Sequence, residues 1–164
     1  MIRLATPILP TSAWSPALKR RFATGAAALD AELAGGLALG HLHEIYAAEE
    51  EDSVSAAGFA AALALRIGAL RTDGGAGTTL WLRTRKSAQA TGAVYGPGLA
   101  EMGGDPAHLL FVLAEDDKAL LRAGVDAVRC EAVTAVVIEC RGAVPAIDLT
   151  VSRRLSLAAQ KSGV

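Results

Sequence analysis

The stretch Gly40-His-Leu-His-Glu-Ile-Tyr-Ala-Ala-Glu-Glu-Glu-Asp-Ser-Val54, GHLHEIYAAEEEDSV, decides how the chain is read. Residues 42–46 mix apolar and polar side chains in a short run that predicts a strand. Residues 53–71 are dominated by Ala and Leu. They predict a helix apolar on nearly every face, and so one buried between layers. Strand, turn and helix in this order form a common setting for a bound nucleotide phosphate. Yet the turn carries four consecutive carboxylates, Glu49, Glu50, Glu51 and Asp52.

Outward from this stretch the pattern alternates. Residues 1–21 read as an irregular arm with prolines at 7, 10 and 16. TGAAALDAEL, from Thr24, predicts a short capped helix stopped by Gly35-Gly36. Strands are predicted at 78–83, 109–113 and 133–139, the last reading as fully buried. Helices are predicted at 116–130 and 148–160, with a poorly defined helical segment after residue 83 that Gly96-Pro97-Gly98 breaks. Strands alternating with helices predict an α/β fold with a mainly parallel sheet flanked by helices. The sequence ends just after a predicted helix, with no further strand, so the reading expects a shortened chain whose open sheet edge promotes self-association.

Composition narrows the function classes. The chain has 164 residues, 52% of them hydrophobic, and a formal net charge of −1. That content allows a sizeable core and gives no global basic field for nucleic acid. The longest apolar run, 56–65, is half of what a membrane span needs. Two cysteines, Cys130 and Cys140, are too few for a disulfide scaffold and fit a reducing, cytoplasmic setting as small core residues.

A resemblance covers residues 22–164. FATGAAALDAELAGGL, at 22–37, followed by GHLHEIY, looks like the entry to a RecA-type ATPase core. More narrowly the chain resembles the ImuA family, RecA-like proteins of bacterial damage-induced mutagenesis operons. The residues carrying this are LHEIYAAE, WLR at 81–83, YGPGLAEMG at 95–103, HLLFV at 108–112, RAGVDAVRC at 122–130, AVVIE at 135–139 and DLTVSRRLSLAAQKSGV at 148–164. The resemblance implies a RecA-like core of the P-loop-NTPase type over 22–164. It also implies a role in SOS-induced translesion synthesis. The implied partners are an ImuB-type polymerase homologue, an error-prone polymerase and RecA itself, with DNA contacted indirectly or weakly. A SulA-like inhibitor of cell division and an active ATPase are the alternative readings.

The phosphate loop can be checked position by position. A working loop reads G-x-x-x-x-G-K-[ST], for backbone wrapping, phosphate contact and magnesium binding. Aligned on Glu44-Ile45-Tyr46, the first Gly falls on Ala47 and the second on Asp52. The Lys falls on Ser53 and the hydroxyl residue on Val54, with Ala48, Glu49, Glu50 and Glu51 between. All four positions are lost, so the loop is degenerate. A charge pair at ~4 Å is worth about 4 kcal/mol at an effective dielectric of 20. Micromolar binding totals only about 8 kcal/mol, so two carboxylates facing a polyphosphate would cancel it. The plainer reading has these acids facing water at a helix start. Either way no nucleotide cofactor is expected.

Arg85 falls where RecA-type enzymes carry a catalytic carboxylate, and a cation cannot act as a base there. Glu139 is a vestigial strand-end acid, read either as a surviving magnesium-linked carboxylate or as one without a partner. His41 and His43 share a strand face and could share a metal, but no third ligand is evident and His108 is isolated. No metal site is expected. Lys19-Arg20-Arg21, Arg83-Thr84-Arg85-Lys86 and Arg153-Arg154 are short basic patches, most simply solvated faces.

Overall fold

A computed structural model describes residues 3–4, 20–70 and 77–164 of the protein. The three prolines of the expected arm, Lys19 of its basic patch and most of the loop 72–77 lie outside the described residues.

Three strands build the main sheet: β5 (Thr78–Thr84), β6 (Leu109–Ala114) and β7 (Val133–Glu139). They pair in parallel with β5 central, in the order β6-β5-β7. Adjacent residues of β5 point to opposite faces, as the pleat requires. Trp81 packs against Ala61 and Leu99, and Leu82 against Leu120 on the other side. Ala61 belongs to α2 (Ser53–Gly68), Leu99 to α4 (Gly96–Glu101) and Leu120 to α5 (Asp117–Val128). The last helix, α6 (Leu149–Ser162), packs on α5 through Leu155, Ala158 and Ala159 around Val128. Helices therefore cover both faces of a parallel sheet, and the α/β class read from the alternation holds.

Helix starts follow the capping chemistry. Asp116 accepts from the Ala119 N–H at 2.8 Å and Asp148 from that of Val151 at 2.8 Å. Thr84 accepts from the Ser87 N–H at 3.1 Å and opens α3 (Arg85–Thr91). The short helix α1 (Ala27–Glu32) starts otherwise, because Ala26 and not Thr24 is its cap residue. The Asp30 carboxylate instead reaches back to Thr24, accepting from its N–H and its hydroxyl, each at 2.7 Å. These bonds, the hydroxyl's first, hold the Asp30 carboxyl below its usual range. α1 sits inside a small antiparallel hairpin of β2 (Arg21–Phe22) and β3 (Leu37–Ala38).

Several expectations are corrected. The strand expected at 42–46 shrinks to β4 (Ile45–Tyr46), which pairs antiparallel with β1 (Arg3–Leu4) and stands outside the parallel sheet. The histidine rings explain this. His41 Nδ1 lies 2.8 Å from the Leu39 carbonyl and His43 Nε2 lies 2.8 Å from that of Ala38. These contacts fold 38–43 back on itself instead of extending it. α2 buries only Ala61, Leu63 and Ala64, and Val54 is exposed, because an Ala-rich helix can leave a face in water at little cost. Gly96-Pro97-Gly98 does not break a helix but begins α4, since proline lacks only an N–H that the first turn leaves free. β7 is an edge strand among the described residues, with only Val133 and Ala135 fully buried.

Cys130 is exposed rather than a core residue, and Cys140 is half-buried. Burial pushes the Cys140 thiol up to about 11, with the charges of Asp117 and Glu139 adding to the rise. The thiolate is the nucleophile. An alkylating reagent at pH 8 is therefore expected to modify Cys130 at least about tenfold faster than Cys140 in the folded protein. Peptide mass mapping of a time course checks this, and equal rates would contradict the packing around Cys140.

Candidate functional site

In open α/β sheets, ligands bind beyond the carboxyl ends of the strands. That end is polar here, and the polarity begins with register. Arg83 on β5 and Glu139 on β7 are direct cross-strand partners, one step beyond Leu82 and Ile138. Arg83 follows Trp81 by two residues and Glu139 follows Val137 by two, so both charges project from the face that carries the buried Trp81.

The two side chains meet in a closed network. Arg83 Nη2 donates to Glu139 Oε1 at 3.1 Å. The Ser87 hydroxyl donates to the same oxygen at 3.1 Å, and the Trp81 indole N–H donates to Oε2 at 2.9 Å. Arg83 also donates through Nη1 to the Gly92 carbonyl at 3.0 Å, and through Nη2 to the Ser87 carbonyl at 3.3 Å and to the Thr91 hydroxyl. Arg83 is 4% exposed and the Glu139 side chain 18%. The guanidinium thus staples both ends of α3 to the sheet, while its Nε stays buried without a hydrogen-bond partner.

Both carboxylate oxygens of Glu139 are committed to donors of the protein itself. A magnesium-linked acid needs an oxygen turned toward the ion or toward its water shell. The reading of Glu139 as a carboxylate without a partner is corrected, since three side chains hold it. Arg83 is likewise not part of an exposed basic patch. Sequence reasoning missed its role, although the signal existed in the shared parity of 81 and 83 on one strand and 137 and 139 on another. Arg85 is apart from this network. It donates from Nε to Glu115 at 2.7 Å, with both side chains in solvent.

The acidic turn lies at the start of α2. Ala47 and Ala48 follow β4, Glu49 is extended, and Glu50–Asp52 form a single 3-10 turn that runs into Ser53 and Val54. The Asp52 N–H donates to the Glu49 carbonyl at 3.1 Å, and no residue from 47 to 54 adopts a positive φ. Glu50 accepts from Arg141 Nη2 at 2.6 Å. Arg141 stands just beyond β7, so this pair ties the acidic turn to the carboxyl end of the sheet. The pair is largely exposed, so it contributes no more than about 1 kcal/mol.

The remaining candidates are separated. The His41 and His43 rings are 6.5 Å apart, each with a nitrogen against a backbone carbonyl. Burial pushes the His43 pKa below its ordinary value against the opposing Ala38 carbonyl, and the charges of His41 and Arg21 lower it further. His108 lies elsewhere, 3.6 Å from Asp105. Among the described residues, no three His, Cys, Asp or Glu side chains are grouped to hold a metal. A cavity of about 180 Å³ lies between α2, α4 and β5, lined by Leu65, Trp81 and Leu99 with Asp105 and His108 at its side. It is mainly apolar and carries no cationic cradle for phosphate. No helix among the described residues is long and apolar enough to cross a membrane.

No protein-family profile matches the chain. Two curated relatives do, both named Protein ImuA, from two strains of Caulobacter vibrioides. Each is 36% identical over 129 residues, which cover 79% of this chain and 48% of the relative. The chain thus spans about half the length of the curated relatives it matches. Among solved structures, SulA from Pseudomonas aeruginosa aligns at 20% identity and a TM-score of 0.45, over 67% of this chain and 82% of that one. A likeness that faint carries no argument. The sequence alignment does, and it makes the chain similar to the ImuA proteins across about half their length.

Proposed function

We propose that the protein is a non-catalytic, RecA-like partner-binding protein of damage-induced mutagenesis. The observation that carries the non-catalytic part is the closure of Glu139 by Arg83, Ser87 and Trp81. With Lys and Gly absent from 47–54, neither a phosphate cradle nor a free magnesium acid remains at the carboxyl end of the sheet. The turn Ala47–Val54 is then a degenerate phosphate loop, with Arg85 near the place of a lost catalytic carboxylate. The mutagenesis role rests on the homology to ImuA. In this reading the chain works in the cytoplasm during translesion synthesis. It joins an ImuB-type polymerase homologue to an error-prone polymerase, with RecA as a further candidate partner and DNA reached through them.

Affinity purification of the full-length protein from cells exposed to DNA damage tests this. The ImuB-type homologue is expected in the eluate, in the same yield with magnesium-ATP as after nucleotide depletion. Recovery of a cell-division protein in its place, as the SulA-like reading expects, would contradict the mutagenesis role. Recovery that required ATP would contradict the non-catalytic one.

A further inference from the structure

The last helix has two unlike faces. Leu155, Ala158 and Ala159 are buried against α5. On the opposite side Leu149, Arg153 and Leu157 fall in one i, i+4, i+8 row, with Arg154 and Lys161 along one flank. Leu149 is 89% exposed and Leu157 55%. No acid occurs in LTVSRRLSLAAQKS, and Asp148 before it is spent as the helix cap. Among the described residues none of Arg153, Arg154 and Lys161 is ion-paired. Three unpaired cations thus surround two exposed leucines on a chain whose net charge is −1.

We propose that this face of α6 docks an acidic helical segment of a partner protein, with apolar side chains seated between Leu149 and Leu157 and carboxylates set against Arg153, Arg154 and Lys161. The proposal rests on the partner-binding reading above and names the chemistry of the partner. Charge complementarity selects among occupants. A second copy would bring its own Arg153 and Arg154 to a two-fold contact, cation against cation. Nucleic acid would leave the two leucines against phosphates, with no apolar surface to cover them. A bilayer surface is a poor match for a helix with only two exposed leucines and no aromatic side chain at the interface. An amphipathic acidic helix satisfies both the charge and the apolar row, in the manner of helix-in-groove recognition.

The test uses the full chain and a fluorescein-labelled peptide of 18 residues, built of Glu and Ala with leucines on one helical face, of which the length is about five turns. Fluorescence anisotropy is expected to show saturable binding. The double variant Arg153→Glu/Arg154→Glu weakens it by about tenfold or more at low salt, and Leu149→Ser/Leu157→Ser by a similar factor at both low and high salt. The unfolding midpoint stays unchanged in both, because these side chains lie in solvent. No saturable binding, or binding by both variants as tight as by the unaltered chain, overturns the proposal. So does tighter binding of a duplex DNA or of phosphatidylserine vesicles that is lost in the arginine variant. Purification from damaged cells separates the two levels. If the α6 variants still recover the polymerase homologue, the docking face is wrong and the partner-binding function stands. If the unaltered chain recovers none, that function itself fails.

Discussion

Glu139→Leu is expected to lower the stability of the fold by about 3–5 kcal/mol, the usual cost of leaving one charge of a buried pair uncompensated. The charge left behind is Arg83, which cannot escape by losing a proton. Its remaining partners, the carbonyls of Ser87 and Gly92 and the Thr91 hydroxyl, are neutral. Arg83→Met should cost less than Glu139→Leu, since Glu139 is the more exposed partner and keeps the Ser87 and Trp81 donors. The double variant Arg83→Met/Glu139→Leu should recover most of the loss, because apolar side chains of similar volume can replace a buried ion pair at little net cost. Urea unfolding of the three variants measures the cycle, and in a Trp14→Phe background Trp81 fluorescence reports the site directly. Two single losses that simply add in the double variant would mean that the pair is not a unit.

Gly36→Ala is expected to cost about 2–4 kcal/mol, combining strain at a positive φ with forced overpacking. Gly36 has φ +109°, and an added Cβ would lie 2.0 Å from the Phe22 carbonyl oxygen. That oxygen is backbone and cannot swing away. Phe22 is itself held in a buried cluster with Leu37 and Leu63, and Arg21 clamps the Gly36 and Leu33 carbonyls at 2.8 and 2.9 Å. Gly35→Ala is the internal control. Its φ is also positive, at +102°, but an added Cβ meets nothing within 4 Å. It should carry only the conformational strain, and so roughly half the loss or less. Thermal melting of both variants gives the comparison, and equal shifts would show that the hairpin yields at Phe22.

The parallel sheet was legible because its signals are local. The runs at 78–83, 109–113 and 133–139 are apolar, β-branched and bounded by turns, and β7 matches its predicted bounds. The helix starts at Asp116 and Asp148 were legible for the same reason. The Arg83–Glu139 network was not, because it joins residues 56 apart in the chain through a strand register that no local pattern specifies. Arg83-Thr84-Arg85-Lys86 looked like one basic patch, with three cations in four residues. The strand end turns Arg83 inward to Glu139 and sends Arg85 outward to Glu115. The strand expected at 42–46 failed for a related reason. The alternation of Leu42 and His43 suited an extended chain, but the histidine rings bond to carbonyls a few residues behind them. The acidic turn was placed correctly at the start of α2, and the link of Glu50 to Arg141 lay beyond local reading.

On the proposed function, the carboxyl end of this sheet holds no nucleotide chemistry. Isothermal titration of the protein with magnesium-ATP puts this to the test. Carboxylates along 49–52, no lysine in the turn, and Glu139 closed by Arg83, Ser87 and Trp81 predict no saturable heat up to millimolar ligand. A dissociation constant in the micromolar range, about 8 kcal/mol of binding, would contradict the claim.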